Sequence, residues 1–320
     1  MRTDIDHLPP PMRRDLNRIV RLLFLEFDDA LGAPDGQRKL GRILKIILYG
    51  RHVREDRDDA LGDHESSGSN FDLLIIVNQP ELTHRHRYWA RAEERLLREM
   101  SITRSIGTSA AFIVHSLQDV NDCLAHGRDF MMDIAREGIA LYQSDDIPLL
   151  KPKPKTPDAA LRAAQAYFAE WYPSAIDYHA FAKEAAAQGK SRMAAFLFHQ
   201  ATEQLYRCSL LVGQLYSPNI KDLSFLRSQA ERLDRRLCHI WPTGTRLERA
   251  KFDTLRNAYF KARVSMNYRV DRQELDWFAE RIAELGQAVL SFSRDRIAAL
   301  EAVAAGSDAG VPATSKVRCP

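Results

Sequence analysis

"FDLLIIV" at 71–77 is apolar throughout except for one carboxylate in its second position, Asp72. Upstream, "RILKIILYG" at 42–50 is dense in Ile and Leu and closes on Gly50. Both runs are too short for a helix and are bounded by Gly, Ser and Asn. That predicts two buried strands, Arg42–Tyr49 and Phe71–Val77. Between them lies a polar insert carrying Asp56, Asp58, Asp59, Asp63 and Glu65. A single Asp at the mouth of one buried strand, beyond a glycine that closes the other, calls for a chemical reason.

Further outward, Leu16–Leu31 is apolar at helical spacing and Leu82–Met100 reads as a charged amphipathic helix. "SAAFIVH" at 109–115 is a third strand, followed by a helix over Leu117–Leu124. Strands separated by helices predict an α/β (α+β) domain with a single small sheet over residues 1–150. "KPKPKTP" at 151–157 alternates proline with basic residues, which predicts a stiff extended linker. Its end reads as a helix start, with Thr156 as N-cap and proline at the first helical position. Residues 158–304 then carry helical periodicity almost without interruption, in Leu161–Glu184, Ser191–Val212, Leu223–Leu237, Phe252–Arg263 and Arg272–Ala304. Leu197, Ala201, Leu205, Cys208 and Val212 trace one such stripe. Several helices with short loops predict an all-α bundle. Residues 305–320, small, polar and Pro-containing, predict a disordered tail.

Bulk composition narrows the function classes. The chain has 320 residues, 45% hydrophobic and 28% charged, with a formal net charge of +3. So balanced a charge gives no general argument for nucleic acid. Cys123, Cys208, Cys238 and Cys319 are far apart, which suits neither a disulfide framework nor a zinc site and fits a reducing compartment. No apolar run approaches the ~20 residues of a membrane span, and acids and prolines stand where a signal peptide needs an apolar core. The expectation is a soluble cytoplasmic protein.

The order of Gly-closed strand, insert and "SNFDLLIIV" resembles the core of the DNA polymerase beta-like nucleotidyltransferases. The variant it is most similar to is the bacterial form fused to a helical HEPN domain. "AAFLFHQATEQLYRCSLLV" (194–212) and "FDTLRNAYFKARVSMNYRV" (252–270) resemble two helices of that domain. "FIVHSLQDVNDCL" and "FMMDIAREGIALYQSD" resemble the end of the nucleotidyltransferase half. The resemblance implies transfer of a nucleotidyl group from an NTP to a hydroxyl of a small molecule or protein. In that chemistry a Gly-Ser pair meets the triphosphate, and two carboxylates spaced D-x-D on one face of a strand hold Mg2+.

This sequence departs from the pattern. Gly50 is followed by Arg51 rather than Ser, Asn70 stands at the first acidic position, and the third strand brings no acid. By resemblance, Asp72 and Asn70 are the catalytic candidates and Asp72 the metal ligand. Gly50, Arg51 and Ser69 would face the nucleotide. For Asp72 the plain alternative is a turn-capping Asp, and for Arg51 a pairing with the acidic insert. A rival from another class is a nucleotide-binding sensor or interaction module that kept the fold and lost the chemistry.

In the helical half, His199, Glu203 and Arg207 follow one another at four-residue spacing and share a helix face. His199 and Glu203 read as cleft or nucleotide-pocket residues, Arg207 as a solvated ion-pairing position. Arg256, Tyr259, Arg263 and Tyr268 have the character of a site for a base and a phosphate, so Arg256 and Arg263 join the nucleotide-binding candidates. A structural network is the alternative. Ribonuclease motifs of the Arg-x(4–6)-His type occur at Arg57, Arg192 and Arg232, as often as chance allows, and 256–268 holds no His. "HRHRYW" at 84–89 reads as a basic surface patch, and Tyr167, Phe168, Trp171 and Tyr172 as bundle core. The resemblance to HEPN bundles, which often pair through helices, implies a homodimer.

Overall fold

The computed structural model describes residues 1–32, 41–53, 71–144, 147–218 and 220–308. The chain divides into two compact units, Met1–Pro154 and Lys155–Pro320.

The first unit is built on one four-stranded sheet. Its elements are α1 (Pro10–Leu31), β1 (Ile43–Tyr49), β2 (Phe71–Val77), α2 (Arg85–Tyr88), α3 (Ala90–Ser101), β3 (Ala110–Ser116), α4 (Leu117–Ala125), α5 (Asp129–Glu137) and β4 (Ile139–Gln143). The strand order is β3-β2-β1-β4. β1 runs antiparallel to both β2 and β4, whereas β2 and β3 are parallel. Every residue of β1 and β2 is buried, Lys45 and Asp72 included, as befits strands covered on both faces. Ile46, Leu48, Leu73 and Ile75 share a core with Leu16, Ile19, Leu23 and Phe27 of α1 and with Trp89. On the opposite face Phe130 of α5 meets the Tyr49 ring edge-on at 5.4 Å.

Two expectations in this unit need correction. The stretch 82–100 is a 3-10 turn, α2 and α3 rather than one helix. Trp89 breaks it by turning its buried indole back to donate to the Leu82 carbonyl at 2.7 Å. β4 is a strand that periodicity did not signal, because only its first two residues are buried.

Gly138 makes the α5–β4 corner possible. A Cβ there would stand 2.5 Å from the Ile134 carbonyl oxygen and 2.6 Å from Ile47 Cγ2. The carbonyl is backbone and already accepts the Gly138 N–H at 2.9 Å, so it has little room to yield. Gly138→Ala is therefore expected to lower the stability of the sheet unit by about 1–3 kcal/mol, read as a lower urea midpoint at unchanged slope.

The second unit is all helical: α6 (Pro157–Ala187), α7 (Ser191–Gln214), α8 (Leu223–Glu231), α9 (Arg246–Val264) and α10 (Arg272–Asp308). Thr156 caps α6 by accepting the Ala159 N–H at 3.3 Å. A capping box between Thr245 and Glu248 starts α9. α7 is the central helix, buried nearly all round, and its Phe198, Leu205 and Tyr206 join Trp241, Leu255, Phe278 and Leu285 in the core. Tyr167, Phe168, Trp171 and Tyr172 pack against that core.

The helix expected over 223–237 stops at Glu231. Asp234 instead caps a separate 3-10 turn, accepting the Arg236 N–H at 2.8 Å. α10 runs on to Asp308, past the expected start of the tail. The rest of that tail lies outside the described residues. Among the described residues no helix is long and apolar enough to cross a membrane. Cys123, Cys208 and Cys238 are free thiols, with burial pushing Cys208 up to about 12.

Candidate functional site

The first group of candidates gathers where β1 ends and β2 begins. β1 leaves the sheet at Tyr49, and Gly50 takes φ +82, a conformation that glycine adopts without steric cost. A 3-10 turn, Gly50–Val53, follows. The N-terminal segment pins it: Arg2 Nη2 donates to the Val53 carbonyl at 2.7 Å, and His7 Nε2 to the His52 carbonyl at 2.7 Å. The His52 ring lies 5.0 Å from Phe71, so the turn rests on the first residue of β2.

Asp72 is the next residue along and is 1% exposed. In the ladders it stands opposite Tyr49 on β1 and Ala111 on β3. Gly50 and Asp72 are therefore brought together, one residue beyond the ladder and one within it. Arg51 is exposed on the turn. Asn70, Ser69 and the insert acids Asp56, Asp58, Asp59, Asp63 and Glu65 lie outside the described residues. Among the described residues no group of three or more His, Cys, Asp or Glu side chains is placed to hold a metal.

The second group lies on α7 and α9. His199 and Glu203 are buried rather than lining an exposed face, at 0% and 7% exposure. His199 Nδ1 is 4.0 Å from Glu203 Oε2, and Glu203 Oε1 accepts from Arg207 Nε at 2.9 Å. Arg207 is buried as well, which corrects its reading as a solvated position. Its remaining donors reach Ser217 Oγ at 3.2 Å and the carbonyls of Pro218 and Ile220 at 2.8 and 2.6 Å. The polar face of α7 thus grips the segment leading into α8, and its apolar faces fill the bundle.

That segment delivers Lys221, which sequence reasoning missed because a lone lysine in a loop carries no pattern. Lys221 Nζ donates to the Tyr259 hydroxyl. The Arg263 guanidinium lies 4.2 Å from the centre of the Tyr259 ring. The His199 ring is 5.5 Å from Tyr259. Lys221, with Arg263 acting in the same direction, holds the Tyr259 phenol below its usual range.

Burial pushes the His199 imidazole down to about 4, against a weak opposing pull from the neighbouring Gln200 amide. Neither His199 nitrogen has a hydrogen-bond partner, and the same holds for Gln200 Oε1 and Glu203 Oε2. Arg256 does not join this cluster; it pairs with Asp253 at 3.0 Å and touches Ser224 Oγ at 3.4 Å. Tyr268 is structural, its hydroxyl donating to the Thr254 carbonyl at 3.0 Å. Arg192 donates to the Ala262 carbonyl at 3.0 Å, an engagement that ties α7 to α9.

Neither a protein-family model nor a curated protein sequence matches this chain. Among solved structures, it matches the nucleotidyltransferase-like protein from Exiguobacterium sibiricum at 12% identity and a TM-score of 0.27. The match covers 88% of this chain and 78% of that one. A superposition of that quality decides neither fold nor activity, so the functional reading rests on the residues above.

Proposed function

We propose that the chain is a nucleotidyltransferase-like protein that binds an NTP at the Gly50–Asp72 corner of its sheet unit. It would transfer the nucleotidyl group to a hydroxyl of a small molecule or protein, with a HEPN-like helical unit holding the acceptor. The observation that carries this reading is the pairing of a positive-φ glycine at the exit of β1 with a buried carboxylate at the entrance of β2. A carboxylate at that position can ligate a hard cation, and a glycine at that turn leaves the backbone open to close approach.

Asp72 fits a Mg2+ ligand by chemistry, with Asn70 as the neutral second candidate. When bound there, Mg2+ supplies charge neutralisation at the phosphates. Arg51, exposed on the turn, offers a guanidinium fork to a phosphate. In the transfer, the acceptor hydroxyl oxygen bonds to the α-phosphorus and the bond to the bridging oxygen of pyrophosphate breaks. Pyrophosphate leaves, and the hydroxyl proton passes to a carboxylate or to solvent.

One observation favours a second reading, a nucleotide-binding sensor without catalysis. β3, whose Ala111 lies in register beside Asp72, brings none of the further acid that the resemblance implies on a later strand.

Calorimetric titration with ATP and with GTP, in Mg2+ and in EDTA, tests the common core of both readings. Wild type is expected to show a Mg2+-dependent component of binding, which Asp72→Ala abolishes and Asp72→Asn weakens by about tenfold or more. The absence of any component that needs both Mg2+ and Asp72 sinks the metal site and the transferase with it. Mg2+-dependent binding with no turnover across hydroxyl acceptors favours the sensor.

A further inference from the structure

We propose that Lys221, Tyr259 and Arg263 form a phosphoryl-binding site on the helical unit, separate from the Gly50–Asp72 corner and requiring no metal. The proposal uses no residue of the sheet unit and does not rest on the transferase reading.

Three observations carry it. First, two cations converge on one phenol: Lys221 Nζ is bonded to the Tyr259 hydroxyl and lies 4.3 Å from the ring centre, while Arg263 lies 4.2 Å from the same centre. Arg263 also lies 5.6 Å from the Phe196 ring, which stacks on Tyr259 at 6.1 Å. Second, no ion pair to a carboxylate engages either cation among the described residues, whereas Arg256, one turn before Tyr259, is paired with Asp253 at 3.0 Å. Asp222, next to Lys221, has its carboxylate turned to the Ser224 N–H at 2.8 Å as the cap of α8. Third, the fully buried His199 stands behind the phenol with both ring nitrogens unpartnered.

Two uncompensated cations, a phenol and an idle imidazole donor match a group with several acceptor oxygens and about two negative charges. A phosphoryl group has both. Lys221 is held in place by Arg207, which fixes the carbonyls of Pro218 and Ile220 just ahead of it. Arg207 is thus a positioning residue. Arg263 and His199 belong to this site, and Arg256 does not.

The test titrates the intact chain, in EDTA and at fixed ionic strength, with inorganic tripolyphosphate and separately with ATP. Wild type is expected to bind tripolyphosphate. Lys221→Gln and Arg263→Gln should each weaken it by about tenfold or more, the usual worth of one charged hydrogen bond. Arg256→Gln should match wild type, and so should Asp72→Ala, which separates this site from the sheet corner. ATP binding more tightly than tripolyphosphate identifies a nucleotide as the source of the phosphoryl group; equal affinities identify a free phosphate chain.

A second readout guards against misfolded variants. A bound phosphoryl group takes Lys221 from the phenol, so saturating tripolyphosphate should move the ionisation of one tyrosine upward in wild type and not in Tyr259→Phe. Absence of binding by wild type, an equal loss in Arg256→Gln, or an unmoved tyrosine titration overturns the proposal.

Discussion

Arg207→Met is expected to destabilise the helical unit by about 3–5 kcal/mol, the usual consequence of leaving one member of a buried ion pair alone. Glu203 is 7% exposed and its Oε1 accepts from Arg207 at 2.9 Å, while Oε2 has no hydrogen-bond partner. Without the guanidinium, a carboxylate would be left deep in the bundle beside the neutral His199. The same substitution releases the carbonyls of Pro218 and Ile220. The decisive comparison is the double variant Glu203→Leu/Arg207→Met. With the charge removed, most of the loss should return; what remains measures the loop. Denaturant unfolding followed by tryptophan fluorescence reads both, since Trp241 lies in this core. Equal losses in the single and double variants would locate the whole effect in the loop.

His199 sets a second large effect, on pH dependence. Its folded value is depressed from 6.5 to about 4, with burial the main cause. The unfolded chain therefore takes up a proton first as pH falls, so the stability share is complete above pH 6.5 and lost as pH drops toward 4. At one pH unit per 1.36 kcal/mol, that share is about 3 kcal/mol. The groups around the imidazole are Glu203 and Gln200 on its own helix, Tyr259 and Arg263 on α9, and Lys221 ahead of α8. Lys221 and Arg263 oppose a charged imidazole, and the Gln200 amide favours it. His199→Gln should flatten the loss between pH 6.5 and 4 relative to wild type. His179 and His115, also depressed by burial, leave a slope of the same sign in that variant. A wild-type profile as flat as the variant's would mean that His199 takes up its proton at the same pH in the folded and unfolded states.

The central strands were legible because both faces of β1 and β2 are covered, which removes the polar half of the strand alternation and leaves runs such as "FDLLIIV". Asp72 was legible for the same reason, as the one carboxylate in such a run. β4 was not: with two buried residues among five it has no periodicity, and Gly138 before it looks like any loop glycine. The long helices were legible from their stripes, whereas the breaks at Trp89 and Glu231 depend on a tertiary hydrogen bond and on a local cap.

On the candidate sites, residue type alone grouped Arg256 with Arg263. The helix separates them: Arg256 pairs with Asp253, and Arg263 folds back over Tyr259. Lys221 could not be found from sequence, since its place depends on carbonyls gripped by Arg207 from another helix.

The strand order carries a consequence for how this chain is made. β1 is flanked by β2 on one side and by β4 on the other, and β4 is synthesised only after α3, β3, α4 and α5 have emerged. Until then one edge of a strand rich in Ile and Leu presents unpaired N–H and C=O groups, the template on which chains pair with one another. The nascent protein is thus most vulnerable to aggregation while residues between Val77 and Gln143 are leaving the ribosome. A product truncated ahead of Ile139 would keep that edge open permanently, whatever its helices do.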